Sequence, residues 1–387
     1  MSEWKKVKLK DCCHSISDGD HLPPPKSNSG VPFVTIANID ATNHIDFGNT
    51  MFVPLEYYNN LNDIRKAKCN DILYSVVGSF GKPVLVKENI PFAFQRHIAI
   101  LRPNNEIADS RFLYYVMLTR DFFMQADTVA IGAAQRTISL TALRNMEVKL
   151  PSMETQHRIA NILSRYDSLI ENYQKQIKLL EEAAQRLYKE WFVDLRFPGH
   201  ESTNIIDGVP EGWEKKSVDS IYNIKYGKNL STKLITETGF YPVYGANGVI
   251  GYYDKANCNE QVVLITSRGN GSGDVLMTYH KDAFITNNSF IVTPSEGFEY
   301  CKLPFTFQFL KMANFRAVRT GAAQPQLTNQ SIHTVDVILP NKNLIEKFCS
   351  ATIGMNDTII KYREQIRLLT EARDRLLPKL MSGEITI

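Results

Sequence analysis

The chain has 387 residues, 43% of them hydrophobic and 22% charged, which suits a globular protein with room for two domains that each have a core. Its net charge is only +3, so composition by itself does not announce a nucleic-acid binder, and any basic surface has to be argued from motifs. No run of about 18 apolar residues occurs, which excludes an ordinary membrane-spanning helix. The opening Met1-Ser2-Glu3-Trp4-Lys5-Lys6 has no apolar signal region, so the expected location is the cytoplasm. Cys12, Cys13, Cys69, Cys258, Cys301 and Cys349 form no C-x-x-C pair and no zinc spacing, and they read as reduced, mostly buried thiols.

In chain order, Trp4-Lys5-Lys6-Val7-Lys8-Leu9 opens a segment of short apolar runs bounded by Gly, Asn and Pro. Val31–Ile36 and Asp71–Val77 are the clearest of these and read as strands. The stretch Ser110 to Met124 reads as one helix. Gly132-Ala133-Ala134-Gln135 reads as a loop, and Glu147–Pro151 closes the segment. A long helix then runs through Ile159, Ile162, Tyr166, Leu169, Tyr173, Ile177, Leu180, Ala184, Leu187 and Trp191. The step Leu169–Tyr173–Ile177 takes two fours in a row, which reads as a stutter in a heptad seam. Glu181-Glu182 reads as solvated surface charge. Residues 196–212, with Pro198, Gly199, Gly208 and Pro210, read as a linker.

The pattern then repeats. Trp213-Glu214-Lys215-Lys216-Ser217-Val218 opens the second half, Val262–Thr266 reads as a strand, and Phe305 to Phe315 reads as the matching helix. Gly321-Ala322-Ala323-Gln324 repeats the earlier tetrad at an offset of 189, and Asp336–Pro340 repeats Glu147–Pro151 at the same offset. Ile359 to Leu376 aligns without gaps to Ile170 to Leu187, with ten of 18 positions identical, so the second tail is also a long helix, with Pro378 marking its expected end. The two tails are expected to pair antiparallel as a coiled coil. From Trp to tetrad is 128 residues in the first half and 108 in the second, so duplicated flanks enclose divergent interiors.

No catalytic constellation stands out. Gly78-Ser79-Phe80-Gly81-Lys82-Pro83 has two residues between its glycines where a P-loop needs four, and Pro follows the Lys. Gly269-Asn270-Gly271-Ser272-Gly273 does not match the dinucleotide-binding fingerprint. Asp18-Gly19-Asp20-His21 reads as a loop with local turn bonding rather than as a metal site.

Four segments together resemble the specificity subunits of type I restriction–modification systems, over essentially the whole chain. They are Phe94–Pro103, Tyr241–Gly251, Gly321–Leu327 and the closing Leu376–Ile385. The resemblance implies an α+β fold with pseudo-two-fold duplication: two β-rich target-recognition domains separated by two long antiparallel helices forming a coiled coil. The expected division is a first target-recognition domain over 1–150, a spacer helix over 151–195, a linker over 196–212, a second target-recognition domain over 213–339, and a second helix with its tail over 340–387. It further implies a non-catalytic reader of bipartite double-stranded DNA, one half-site per domain, with two methyltransferase (M) subunits and restriction endonuclease/translocase (R) subunits as partners and no membrane. No cofactor or metal is expected on this chain; S-adenosylmethionine, ATP and Mg would belong to the partner subunits. Two other readings stay open: the specificity subunit of a type II enzyme with fused methyltransferase and nuclease, and a coiled-coil scaffold whose loops bind protein.

Base reading needs directional donors and acceptors on loops that reach a groove, with Arg suited to guanine and Asn or Gln to adenine. Four loop groups fit in each half. An early loop offers Asp18, His21 and Asn38, matched by Lys225, Lys228 and Asn247. The glycine loop offers Ser79 and Lys82, matched by Arg268, Asn270 and Ser272. Gln95-Arg96 is matched to Asn287-Asn288, and the tetrad loops add Gln135 with Arg136, and Gln324 with Gln326. The alternative for each is a turn residue serving its own backbone. The tetrad is identical in both halves, so it cannot encode different half-sites; its differing neighbours Arg136 and Pro325 could.

Overall fold

A computed structural model describes residues 4–40, 42–133, 135–321 and 324–385. Ala134, Ala322 and Ala323 of the two tetrads lie outside the described residues, as do Met1, Ser2 and Glu3 of the opening segment. The chain forms two compact units, Met1–Ile170 with Leu368–Ile387, and Glu171–Arg367. The division falls inside both long helices, where the sequence placed the boundaries at helix ends.

The first unit runs through β1 (Lys5–Lys8), β2 (Cys13–Asp18), β3 (Val31–Val34), β4 (Met51–Val53), α1 (Leu55–Asn60), β5 (Ile72–Ser75), β6 (Pro83–Leu85), β7 (Ala93–Phe94) and β8 (Ile98–Pro103). It continues with α2 (Ser110–Met117), α3 (Arg120–Val129), α4 (Leu140–Asn145) and β9 (Glu147–Leu150), and then enters the long helix α5 (Met153–Tyr188). An antiparallel sheet in the order β2-β8-β5-β6 carries the domain; β4-β3-β7 forms a second sheet and β1-β9 a third. All four residues of β5 are buried, as its apolar run requires of a strand covered on both faces. Alternation divides them between two cores. Ile72 and Tyr74 join Ala99 and Leu101 against α2 and α3, while Leu73 joins Ile98, Ile100, Val34 and Phe94 on the other face.

The second unit begins within α5 and runs through β10 (Ile205–Ile206), β11 (Val209–Pro210), β12 (Glu214–Ser217), α6 (Val218–Ile221), β13 (Tyr222–Tyr226), β14 (Tyr241–Gly245) and β15 (Gly248–Tyr253). Next come β16 (Val263–Thr266), β17 (Val275–Met277), β18 (Phe284–Ile285), β19 (Ser289–Pro294), α7 (Leu303–Met312), α8 (Asn329–Ile332), β20 (Asp336–Leu339) and the long helix α9 (Lys342–Ser382). Apart from the β10-β11 hairpin, its sheets, β13-β19-β16-β17, β15-β14-β18 and β12-β20, repeat the three sheets of the first unit strand for strand. The pairs Ile72↔Leu101 and Leu73↔Ile100 recur as Val263↔Val292 and Leu264↔Ile291. The parallel pair Val34↔Phe94 recurs as Tyr244↔Ile285. The interiors that diverge in sequence therefore share one topology and one register.

Both long helices contribute to both units, and within each unit they run antiparallel. In the first, Ile159 and Leu163 share a core with Leu380, and Asp167 accepts from Arg373 at 2.8 Å. In the second, Tyr173 stacks on Tyr362 with centroids 4.7 Å apart, and Trp191 and Phe192 pack on Phe348.

Three sequence expectations need correction. The stutter is absent, because Leu169 is 44% exposed and Ile170 is the buried residue. The inward positions Tyr166, Ile170, Tyr173 and Ile177 alternate steps of four and three, a regular heptad seam. The helix read over Ser110 to Met124 is two helices, because the Thr119 side chain accepts from the Phe122 amide and starts a new one. Pro378 lies inside α9 rather than at its end. The missing amide is offset by burial, since Leu376 and Leu377 before it and Leu380 and Met381 beyond it all pack in the first unit's core. Among the described residues no helix is long and apolar enough to cross a membrane, and no group of three or more His, Cys, Asp or Glu is placed to hold a metal ion. All six cysteines are free thiols, with Cys12, Cys258, Cys301 and Cys349 buried.

Candidate nucleic-acid interface

The end of β2, the end of β5 and the start of β8 lie at one end of the first domain's main sheet, because these strands are antiparallel neighbours. Four loops meet there and are laced by backbone hydrogen bonds. The Asp20 amide donates to the Phe94 carbonyl (3.0 Å) and the Arg96 amide to the Asp20 carbonyl (3.1 Å). The Val76 amide donates to His97 (2.9 Å), the Gly78 amide to Arg136 (2.9 Å), and the Ile138 amide to Val76 (2.8 Å). The early loop, the glycine loop, the 95–97 turn and the tetrad loop thus form one contiguous surface.

The second domain repeats each bond. Lys228 donates to Ile285 (2.9 Å), Asn287 to Lys228 (3.1 Å), Ser267 to Asn288 (2.8 Å), Gly269 to Pro325 (3.0 Å) and Leu327 to Ser267 (2.8 Å). These bonds fix the correspondence residue by residue. Gln95 matches Thr286 and Arg96 matches Asn287, one position away from the match made on the sequence, which had no strand register to count from.

One glycine in each domain makes the lacing possible. A Cβ on Gly19 would lie 2.1 Å from the Phe94 carbonyl oxygen, and one on Gly227 would lie 2.3 Å from that of Thr286. Only a residue without a side chain lets the early loop come this close. The glycines look unremarkable in sequence because their partners lie far along the chain.

In the first domain Ser79, Arg96, Gln135 and His21 are exposed, and Lys82 and Gln95 are half-buried. In the second, Lys225, Lys228, Asn247, Arg268, Asn270, Gln324 and Gln326 are exposed, and Asn287 and Asn288 are half-buried. Asn247 sits in the β14–β15 turn, its Oδ1 3.3 Å from where a Cβ on Gly271 would lie, so this turn joins the surface of the second domain.

Several candidates are spent inside the fold. Asn38 is buried; its Oδ1 accepts from the Thr35 amide (2.9 Å) and hydroxyl (2.8 Å), and its Nδ2 donates to the Asn49 carbonyl (3.2 Å). It braces a short 3-10 turn and, being buried, presents no group on the surface. Ser272 is fully buried and its hydroxyl has no partner, so it is removed from any surface. Asp18 accepts from His21 at 2.8 Å and lies 3.8 Å from Arg65. Arg136 is bonded to the carboxylate and carbonyl of Asp127 and lies over Phe80, 5.4 Å from its centroid.

Sequence reasoning missed the residues that brace these loops. Tyr57 and Arg65 both engage Asp20. Burial pushes the Asp20 carboxyl up, but the Tyr57 hydroxyl, the Leu22 and His21 amides and Arg65 outweigh it, holding it below its ordinary value. In the second domain Arg316 bonds Asp274 through Nη2 (2.5 Å) and Nε (3.0 Å). Glu181 is not solvated charge: it accepts from Arg363 (3.0 Å) and the Tyr279 hydroxyl (3.4 Å), with Arg363 3.6 Å from the centre of the Tyr279 ring.

The sequence profile of the type I restriction modification DNA specificity domain matches residues 1–182 and again 210–363. The chain belongs to this family. It is a specificity subunit, the non-catalytic, DNA-recognising part of a type I restriction–modification enzyme. The subunit is 29% identical to the putative type I restriction enzyme MjaX specificity subunit of Methanocaldococcus jannaschii, over 100% of this chain and 94% of that one. It is 23% identical to the HindI specificity subunit of Haemophilus influenzae over the full length of both. Its fold is similar to the crystal structure of a type I restriction–modification S subunit from M. genitalium, with a TM-score of 0.60 and 20% identity over 97% of this chain and 96% of that one. The two matches of the profile fall on the two β-rich domains with their strand-for-strand topology.

Proposed function

We propose that this specificity subunit reads a bipartite double-stranded DNA target, with the four-loop surface of each domain reading one half-site. The observation that carries the reading is the pairing of identical lacing with different exposed side chains. The same backbone bonds hold the loops in both domains, yet Ser79 and Arg96 are presented in one and Arg268, Asn270 and Gln326 in the other. A constant frame with variable donors and acceptors suits direct readout of base edges, while exposed Lys225 and Lys228 suit phosphate contacts that set position. The subunit docks two methyltransferase subunits, joined for restriction by the endonuclease/translocase subunits, in the cytoplasm. S-adenosylmethionine, ATP and Mg act on those partners, and this chain holds none of them.

The test is a domain exchange in the assembled methyltransferase. Replacing residues 10–130 with the corresponding segment of another family member, followed by mapping of methylated adenines, changes one half-site and leaves the other as it was. A change in both half-sites, or in neither, refutes the assignment of one half-site to each domain.

A further inference from the structure

Both domains place an arginine between the glycine loop and the tetrad loop, but from different sequence positions. In the first, Arg136 follows the tetrad. Its guanidinium bonds Asp127 on α3, reaches the Ala130 carbonyl at 3.4 Å, and lies over Phe80 of the glycine loop. Phe80 in turn stacks on Phe123 of α3, with centroids 5.8 Å apart and planes within 10°. In the second domain the position matching Arg136 is Pro325, which donates nothing. Instead Arg319, just ahead of the tetrad, donates from Nε to the Arg316 carbonyl (3.1 Å) and from Nη1 to the Asn270 carbonyl of the glycine loop (3.4 Å). The bridges Ile131↔Thr137 and Thr320↔Gln326 show that both tetrads hang from the same frame.

We propose that Arg136 and Arg319 are positioning residues, each clamping the glycine loop to the tetrad loop of its own domain and so setting that domain's base discrimination without reading a base itself. This rests on the reading of these loops as the DNA surface. Three hydrogen bonds to a carboxylate and two carbonyls hold three of the five N–H donors of Arg136 while its guanidinium lies on an aromatic face, and two carbonyls hold Arg319. Releasing Arg136 to a base would leave Asp127 unpaired and Phe80 without its cation.

Asp127 separates a clamp from a reader. The assembled methyltransferase, carrying the full chain, is assayed on a library of duplexes randomised one base pair at a time through both half-sites. If Arg136 is a clamp, Asp127→Asn and Arg136→Ala each flatten base preference in the same half-site by about tenfold, and the double variant is no worse than either alone. Arg319→Ala does the same in the other half-site only. If Arg136 reads a base, Asp127→Asn frees it and leaves preference intact while Arg136→Ala abolishes it, and the proposal is overturned. The undisturbed half-site in each variant reports that the complex has folded, and amide exchange across 78–82 reports whether the loop has loosened. A variant that loses preference with no loosening also overturns the clamp. Wild-type enzyme without sequence preference at either half-site would instead sink the underlying DNA reading.

Discussion

Gly227→Ala tests the lacing of the second domain directly. The new Cβ would sit 2.3 Å from the Thr286 carbonyl oxygen and 2.5 Å from that of Ile285, both backbone atoms. Ordinary contact needs roughly 1 Å more, so the early loop must back away from the 285–288 turn. Three backbone bonds cross that gap: Gly227 to Ser289 (3.0 Å), Lys228 to Ile285 (2.9 Å) and Asn287 to Lys228 (3.1 Å). At about 1 kcal/mol net each, their loss costs roughly 3 kcal/mol of local stability, equivalent to about a hundredfold faster amide exchange. Exchange mass spectrometry on the assembled enzyme should show this in peptides spanning 285–292. Peptides spanning 94–100, which belong to the other unit, should stay unchanged. Methylation should lose preference in one half-site. Gly19→Ala, whose Cβ would meet the Phe94 oxygen at 2.1 Å, should produce the mirror result. Unchanged exchange around 285–292, or an equal rise in both domains, would refute the claim that this close approach holds the loops together.

Other outcomes follow from the same geometry. Ser272→Ala should leave base preference unaltered and stability equal or slightly higher, because it removes a buried hydroxyl without a partner; a shift in preference in a randomised-site assay would return Ser272 to the DNA surface. Lys228→Ala, at an exposed site, should weaken binding evenly across sequences and reduce the slope of log affinity against log salt by about 1; loss confined to one base pair would make it a reader. Asp167→Asn should destabilise the first unit by about 1–2 kcal/mol in urea unfolding, since it breaks the pair with Arg373 (2.8 Å) and weakens the bond from Tyr115 (2.5 Å), while Arg373 keeps Asp374; no change in the midpoint would show the pair to be idle. The purified chain should show no S-adenosylmethionine binding in calorimetry, and a saturable signal would reverse the assignment of that cofactor to the partner subunits.

Periodicity and repetition carry far because they are local and leave a trace in every residue. The duplicated flanks, the two long helices and strands such as β5 and β16 could be read from apolar spacing alone. So could the loops around Gly78 and Gly269, where breakers cluster between apolar runs. What spacing could not decide was which neighbour each loop residue would meet. Asn38 and Asn247 are both polar residues in loops, yet one is consumed by Thr35 and Asn49 and the other stands exposed beside the glycine loop. Leu169 and Ile170 are adjacent and equally apolar; only tertiary packing chooses which turns inward. Pro378 reads as a helix end until the core that receives Leu380 is known. The amino-acid sequence by itself determined the two long helices, the clearest strands, their duplication and the family resemblance, since those depend on residue type at fixed short intervals. The tertiary structure decided the strand-for-strand identity of the divergent interiors, the need for Gly19 and Gly227, and the commitment of Arg136 to Asp127, because each depends on contacts between residues distant in the chain, and a polar side chain is free to act outward only when no such contact has claimed it.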